Sequence, residues 1–145
     1  MTIVWHYTTS ERLAGILAGG AIEPATEGVE TRERPAVWFS AHLTWEPTAT
    51  KAVRDTVTGA RRRLTHDEMV KLGLVRIGID AARCTTWVQH RKEGGISSAE
   101  AKHLVKKGRK MGADPGHWHV HYGAVTCDKW ITVQRWENGA WADIS

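Results

Sequence analysis

The first twenty residues constrain the fold most strongly, because a strand-like segment passes directly into a helix-like one. Residues 2–7 (TIVWHY) are β-branched and aromatic, which predicts a strand. Thr8 and Glu11 have the T-x-x-E spacing of a helix capping box, and Gly19 and Gly20 would end the helix. The helix has apolar residues on one face: Leu13, Ile16 and Leu17. A strand followed at once by a helix predicts a domain that mixes the two.

Later segments extend this pattern with more strands. Four of them have strand-like composition: residues 36–40 (AVWFS), 74–80 (LVRIGID), 117–125 (HWHVHYGAV) and 130–136 (WITVQRW). The pair Asn138-Gly139 favours positive φ angles, which predicts a tight turn. Residues 140–144 (AWADI) would then form the return strand of a hairpin.

Helix starts are marked by a hydroxyl residue three positions before a glutamate. Thr65 with Glu68 predicts a short helix, and Ser97 with Glu100 predicts a longer one over residues 98–111.

About four helices are expected in all, counting a short one that begins at Pro47. A chain of 145 residues suits one ordinary domain and is too short for two. We therefore predict that residues 1–145 form a single α+β domain.

Composition permits an anionic partner without requiring one. The formal net charge is +4 at neutral pH. The aromatic residues are eight Trp, two Tyr and one Phe, which predicts broad flat surfaces in a core or a cleft.

Cys84 and Cys127 do not form a C-x-x-C pair, and free thiols in a reducing compartment are expected. The sequence shows no basic leader and no apolar run near the ~20 residues of a membrane helix. We expect a cytoplasmic protein without membrane association.

The order of elements in the first 45 residues resembles the ADP-ribosyltransferase-like superfamily. The resemblance is carried by His6-x-Thr8 on the first strand, the helix with its Gly-Gly end, and the strand AVWFS. It is strongest for the branch with the DNA-modifying DarT toxins and the RNA 2′-phosphotransferases. The resemblance implies a split sheet with flanking helices and NAD as the substrate.

The same resemblance implies roles for individual residues. His6 and Thr8 would orient the NAD ribose, and Trp38 or Ser40 would contact the nicotinamide. Proteins of this superfamily usually place a glutamate on a late strand, but residues 118–136 contain none. Asp128 or Glu46 would have to supply the catalytic acid.

The residues themselves leave alternatives open. A donor–acceptor pair such as His6 and Thr8 suits ribose hydroxyls, but a buried histidine and a helix cap would have the same sequence. Trp38 and Phe39 face opposite sides of a strand, so one of them must pack in the core.

Three histidines alternate at His117, His119 and His121. Three in a row on a strand span ~13 Å and cannot all bind one zinc ion. Two of them could do so with a donor from elsewhere, such as His6, Cys127 or Asp128. A polar strand facing a cleft, with at least one imidazole such as His119 acting on substrate or phosphate, is favoured over a metal site. An exposed strand without a role is the other alternative.

Two basic clusters are candidates for phosphate contacts with DNA or RNA: Arg61, Arg62 and Arg63, and Lys106, Lys107 and Lys110 of the predicted long helix. The second cluster is also typical of a solvated amphipathic helix. Arg61 and its neighbours could instead hold the pyrophosphate of NAD, since guanidinium matches phosphate geometry.

The sequence supports three hypotheses of function. The leading one is an NAD-binding domain that transfers ADP-ribose from NAD to a nucleic-acid or protein acceptor. The second is a non-catalytic module on the same fold that binds a nucleotide or a macromolecule. The third is a zinc-dependent hydrolase built on the histidine strand.

Overall fold

A seven-stranded antiparallel sheet organises the computed structural model, which describes residues 1–26 and 29–144. The strands in chain order are β1 (Ile3–Thr9), β2 (Ala21–Ile22), β3 (Ala36–Ser40), β4 (Ala52–Arg54), β5 (Arg61–Arg63), β6 (Leu74–Asp80), β7 (Thr85–Thr86), β8 (Trp118–Tyr122), β9 (Val125–Thr126), β10 (Thr132–Glu137) and β11 (Ala140–Asp143). The main sheet has the order β11-β10-β6-β1-β3-β8-β7, and β2 pairs with β9 and β4 with β5 outside it.

Four α-helices lie within the described ranges: α1 (Ser10–Gly19), α2 (His66–Lys71), α3 (Trp87–Glu93) and α4 (Ser98–Lys110). Single turns of 3-10 helix connect several elements: Pro47–Ala49, Ala81–Arg83, Pro115–His117 and Cys127–Lys129. Helices and strands share one small domain, so the predicted α+β class is confirmed.

Two of the three predicted helix caps lie where the spacing placed them. Thr65 and Glu68 form the full capping box, and the Ser97 hydroxyl accepts from the Glu100 amide. The prediction for α1 was wrong by one residue, since Thr9 is the cap. Pairing of β1 with β6 continues through Thr8 and Thr9, which keeps Thr8 in the strand.

The remaining corrections concern α3 and the histidine strand. Helix α3 was not predicted, although Thr86 and Gln89 have the related T-x-x-Q spacing and Thr86 caps the helix. The predicted strand over residues 117–125 is shorter, because His117 belongs to a 3-10 turn and β8 ends at Tyr122. Only His119 and His121 therefore share a strand.

The sheet buries both faces. On one face, α1 packs through Leu13 against a core formed by seven strand residues: Val4, Val37, Phe39, Val75, Ile77, Ile79 and Val133. On the other face, Trp38 and Trp118 pack against α3 and α4. Apolar area removed from water on both faces is the main stabilising contribution to the free energy of unfolding.

The sheet opens between β1 and β3. These strands share one residue pair, Trp5 with Ser40, whereas β1 pairs with β6 along seven residues. Beyond that pair, the His6 side chain reaches across the opening and its Nδ1 lies 3.0 Å from the Trp38 carbonyl oxygen. The opening divides the sheet into two halves and places His6 between them.

Candidate functional site

A cavity of about 280 Å³ adjoins the opening on the side of the sheet that carries α4. We call it the aromatic cavity, because five aromatic side chains line it: Trp5, Tyr7, Trp38, Phe39 and Trp118. Its polar lining consists of His6, Ser40, Glu46, Thr48, Arg63 and Lys107. Flat apolar walls with a few polar groups are typical of small-molecule sites.

Helix α4 closes the cavity by approaching the sheet at a glycine. A Cβ atom on Gly108 would lie 2.6 Å from the ring of Trp118. The absence of a side chain at Gly108 therefore allows the helix to pack directly on that ring. Leu104, Lys107 and Met111 of the same segment then complete the wall.

Glu46 places a carboxylate in this cavity. Its side chain is 5% exposed, and it caps the 3-10 turn that begins at Pro47. Oε1 accepts from Ser40 Oγ at 2.9 Å, and Oε2 accepts from the Thr48 amide, Thr48 Oγ1 and Trp118 Nε1 at 3.2, 2.6 and 3.3 Å. Four protein donors hold the Glu46 carboxylate in place, three on Oε2 and one on Oε1, so it provides a fixed negative charge with one acceptor position of Oε1 still open.

His6 presents one free ring nitrogen. A carbonyl oxygen only accepts, so Nδ1 donates to the Trp38 carbonyl and Nε2 remains the acceptor of the neutral ring. Burial lowers the pKa of His6 below its ordinary value of 6.5, partly offset by the Trp38 hydrogen bond, and the nearby charges of Lys51 and Arg12 lower it further. The imidazole is therefore neutral at pH 7 and suited to accept a hydrogen bond from a hydroxyl.

A second depression lies on the opposite face, against α1. We call it the α1 groove; its lining includes Thr8, Arg12 and residues 21–26. It shares His6 and Trp38 with the aromatic cavity. The two depressions therefore meet at the opening of the sheet.

The structure brings together four of the residues singled out in the sequence. His6, Trp38, Ser40 and Glu46 all line the aromatic cavity. Thr8, which is 3% exposed, lies in the α1 groove instead.

Three other candidates line neither depression: Asp128, Arg61 and His119. Asp128 is exposed on a 3-10 turn, where a hydrogen bond from the Thr126 side chain lowers its pKa. Arg61 is exposed on β5, and the Nδ1 of His119 lies 2.8 Å from the His117 carbonyl oxygen. The positions of these residues in the sequence do not indicate where their segments lie relative to β1 in the folded chain.

The arginine cluster contributes one residue to the cavity. Arg63 lines it and donates to the Thr50 carbonyl oxygen at 2.9 Å. Arg62 forms a two-point ion pair with Glu68 at 2.8 and 2.7 Å.

The cavity also contains residues that the sequence reasoning did not assign to the site: Trp118, Thr48 and Lys107. The excess of Trp in the composition was the one signal for Trp118.

The basic residues of α4 divide between two surfaces. Lys107 faces the aromatic cavity. Four others lie beside Val105 and, together with Arg91 of α3, form what we call the α4 basic surface: Lys102, Lys106, Arg109 and Lys110.

Among the described residues, no three His, Cys, Asp or Glu side chains are grouped to hold a metal ion. Both cysteines are free thiols, as expected. Within residues 1–26 and 29–144, no helix has both the length and the apolar character needed to cross a membrane.

Comparisons with protein-family models, with curated proteins and with solved structures found no significant match. The fold and the site define an antiparallel α+β domain whose sheet is open beside an acid-containing aromatic cavity.

Proposed function

We propose that this chain binds NAD at the opening of its sheet and transfers ADP-ribose to a nucleic-acid or protein acceptor, as an ADP-ribosyltransferase-like enzyme. One observation carries the proposal. The carboxylate of Glu46 lines the same cavity as His6, Trp38 and Ser40. Glu137, the last residue of β10, is exposed and does not line the cavity, so the segment that follows β3 supplies the acid there.

The cavity chemistry suits the bond that such a transfer breaks. When the bond between ribose C1′ and nicotinamide breaks, positive charge develops on the ribose. A fixed negative charge such as Glu46 stabilises that charge without rearranging. The Nε2 of His6 accepts a hydrogen bond from a ribose hydroxyl, and the ring of Trp38 stacks on the nicotinamide.

The cavity accommodates only part of a dinucleotide. Its 280 Å³ is below the roughly 300–1,000 Å³ of sites that enclose drug-sized ligands. The nicotinamide and its ribose would occupy the cavity, and the diphosphate and adenosine would continue along the α1 groove. Arg12 lines that groove and Arg61 does not, so Arg12 would be the guanidinium that contacts phosphate.

The test is the substitution Glu46→Gln, with Asp128→Asn as the matched control. Nicotinamide release from labelled NAD is expected to fall by about 10²-fold or more in Glu46→Gln, since a fixed charge is removed from the transition state. Asp128→Asn should behave like the parent protein, because Asp128 lies outside the cavity. Absence of binding at millimolar NAD in calorimetry, together with absence of nicotinamide release, would rule the proposal out.

A second candidate function is a module that binds NAD or a related nucleotide without turnover. It is favoured by the hydrogen bonding of Glu46, which already accepts four hydrogen bonds from protein donors. Saturable NAD binding with no nicotinamide release would select this alternative. The zinc-hydrolase hypothesis gains no support, since the described side chains offer no grouped metal ligands.

The α4 basic surface favours a nucleic acid as the macromolecular acceptor. Its lining contains five cations and no acidic residue. Binding of DNA or RNA there would release counterions, with a slope of log affinity against log salt of about −0.7 to −0.9 per phosphate contacted. The double substitution Lys106→Ala and Lys110→Ala removes two of these cations, so the slope should become shallower by the amount that up to about two phosphate contacts contribute. An unchanged slope would favour a protein acceptor.

A further inference from the structure

Strands β4 and β5 form a two-stranded ribbon that lies outside the main sheet. Every residue of both strands is exposed, including Val53, and none belongs to the hydrophobic core. Residues 51–63 contain one lysine and four arginines against a single acid, Asp55. Packing of the core therefore does not explain this segment, and its main property is a concentration of positive charge.

The strand pairing sorts the arginines of the ribbon by face. Cross-strand partners point to the same face, and neighbours along a strand alternate between faces. Arg54 is paired with Arg61, and Arg63 lies two residues further along β5, so these three share what we call the arginine face. Arg62 points to the other face, where its guanidinium forms the ion pair with Glu68.

The arginine face is not neutralised by the protein. In the part of the chain that the structure describes, none of the ion pairs includes Arg54, Arg61 or Arg63. The carboxylate of Asp55 accepts from two backbone amides of the turn. Like charges directly opposite each other destabilise an antiparallel pair, so the pairing of Arg54 with Arg61 is unfavourable without an anion. A bound anion would relieve that repulsion.

The arginine face leads to the aromatic cavity. Arg63 lines the cavity, and Arg61 lies ~6.6 Å further along the same strand. Lys107 of α4 lines the same cavity and adds another cation there. A row of cations that ends at a cavity suits a ligand with repeated negative charges, one end of which reaches the cavity.

A nucleic-acid strand has the chemistry that this row requires. Its phosphates repeat along the chain, and the planar guanidinium matches phosphate geometry. A base stacked in a duplex cannot enter an enclosed site, and enzymes that act on bases use a single strand or flip the base out at a cost in free energy.

We propose that the arginine face binds the phosphates of a single-stranded nucleic acid and directs that strand to the aromatic cavity as the acceptor of ADP-ribose. The choice of a single strand as acceptor rests on the proposed function. The binding of phosphates by Arg54 and Arg61 depends on the ribbon alone and is measured without NAD.

The experiment measures binding of a labelled mixed-sequence oligonucleotide, prepared as DNA and as RNA, by fluorescence anisotropy over a range of salt concentrations. Each phosphate contact in a single strand contributes about 0.7 to the slope of log affinity against log salt. Arg61→Gln should make the slope shallower by about 0.7, and the double substitution Arg54→Gln and Arg61→Gln by about 1.4. Absence of binding by the parent protein, or an unchanged slope in both variants, would overturn the proposal.

Arg62→Gln is the matched control, because it removes the same charge from the adjacent residue on the other face. Its slope should equal that of the parent protein, and equal changes in Arg61→Gln and Arg62→Gln would overturn the assignment to the arginine face. The urea midpoint of Arg61→Gln should stay the same or rise, since a cross-strand repulsion is removed. Weaker binding together with a lower midpoint would mean that Arg61 acts through folding, which would also overturn the assignment.

Addition of NAD separates this proposal from the proposed function. ADP-ribose is expected on the single strand and not on the same strand in a duplex; equal transfer to both would overturn the choice of a single strand. Nicotinamide release without transfer to any oligonucleotide would overturn the acceptor and leave the proposed function standing. Absence of nicotinamide release would overturn the proposed function, whereas the slopes measured without NAD would still identify the arginine face.

Discussion

Individual residues in this protein acquire their chemistry from the groups around them. His6 is neutral because burial lowers its pKa, and its one hydrogen bond directs Nε2 outward as an acceptor. Glu46 is an ordinary loop residue in the sequence, yet four donors turn it into a fixed charge inside a cavity. Burial raises the pKa of Cys84 to about 12, which makes it an unreactive thiol at neutral pH.

The lowered pKa of His6 predicts how stability depends on pH. In the unfolded chain His6 titrates near 6.5, and in the folded chain it titrates lower. At pH values between these two pKa values the unfolded chain binds more protons than the folded chain. The free energy of unfolding should therefore fall as the pH decreases below 6.5. Above 6.5 His6 should contribute no pH dependence.

Urea unfolding at pH 5, 6 and 7 would measure this effect in the parent protein and in His6→Gln. Glutamine can still donate to the Trp38 carbonyl but does not titrate. The His6→Gln variant should therefore lose less stability below pH 6.5 than the parent protein. If both proteins lose the same stability between pH 7 and pH 5, the assignment of that loss to His6 would be wrong.

At the scale of elements, the segments follow local rules with high regularity. The hairpin of β10 and β11 turns at Asn138 and Gly139, whose φ angles are 51° and 78°. Both values are in the left-handed region, as the Asn-Gly pair predicted. Helices α2 and α4 begin where their capping residues stand.

Gly139→Ala is therefore expected to destabilise the protein. A Cβ atom at φ 78° costs about 1–2 kcal/mol, because it approaches the neighbouring carbonyl oxygen. The urea midpoint should decrease by a corresponding amount at constant m-value. Asn138→Gly is the control, since glycine adopts positive φ without strain, and an unchanged midpoint in Gly139→Ala would refute the turn geometry.

At the scale of the whole molecule, the cavity depends on how α4 sits against the sheet. Gly108 allows the helix to contact Trp118, and Trp118 in turn donates to Glu46. Helix packing and the electrostatics of the site are therefore linked through two residues that are distant from His6 in the sequence.

Gly108→Ala tests this link. The added methyl group would meet the Trp118 ring at 2.6 Å, and overpacking of this kind costs about 1–3 kcal/mol. We expect a lower urea midpoint together with weaker NAD binding in calorimetry. Gly15→Ala, in α1, is the stability control because nothing lies within 4 Å of its added Cβ atom. A tolerated Gly108→Ala with unchanged NAD affinity would show that the cavity does not depend on this contact.

Much of the fold was predictable, because strands, caps and turns depend on neighbours a few residues away. The α+β class, the starts of α2 and α4 and the Asn-Gly hairpin are all local features. The errors also have local causes. Thr8 is not the cap because β1 pairs with β6, a distant segment, through Thr9, so the strand ends one residue later than the capping spacing predicted.

The candidate site was predictable only in part. His6, Trp38 and Ser40 lie on two strands near each other in the chain, and pattern alone was sufficient to single them out. Asp128 and Arg61 were equally reasonable from composition, but they lie outside the cavity. The role of Trp118 depends on a contact with Glu46, 72 positions away, that sequence spacing does not encode, whereas Thr48 contacts Glu46 within one local turn.

The sequence by itself determined the elements, their order and the candidate residues of the first two strands, because hydrophobic period and capping chemistry act over a few residues. The tertiary structure decided which acid stands beside His6, which arginine faces the cavity and which tyrosine is joined to His90. The hydrogen bonds that hold these groups join residues 32 to 72 positions apart: His6 with Trp38, His90 with Tyr122, and Glu46 with Trp118. They depend on the order of strands in the sheet and on the packing of α4, so only the folded chain brings the groups together.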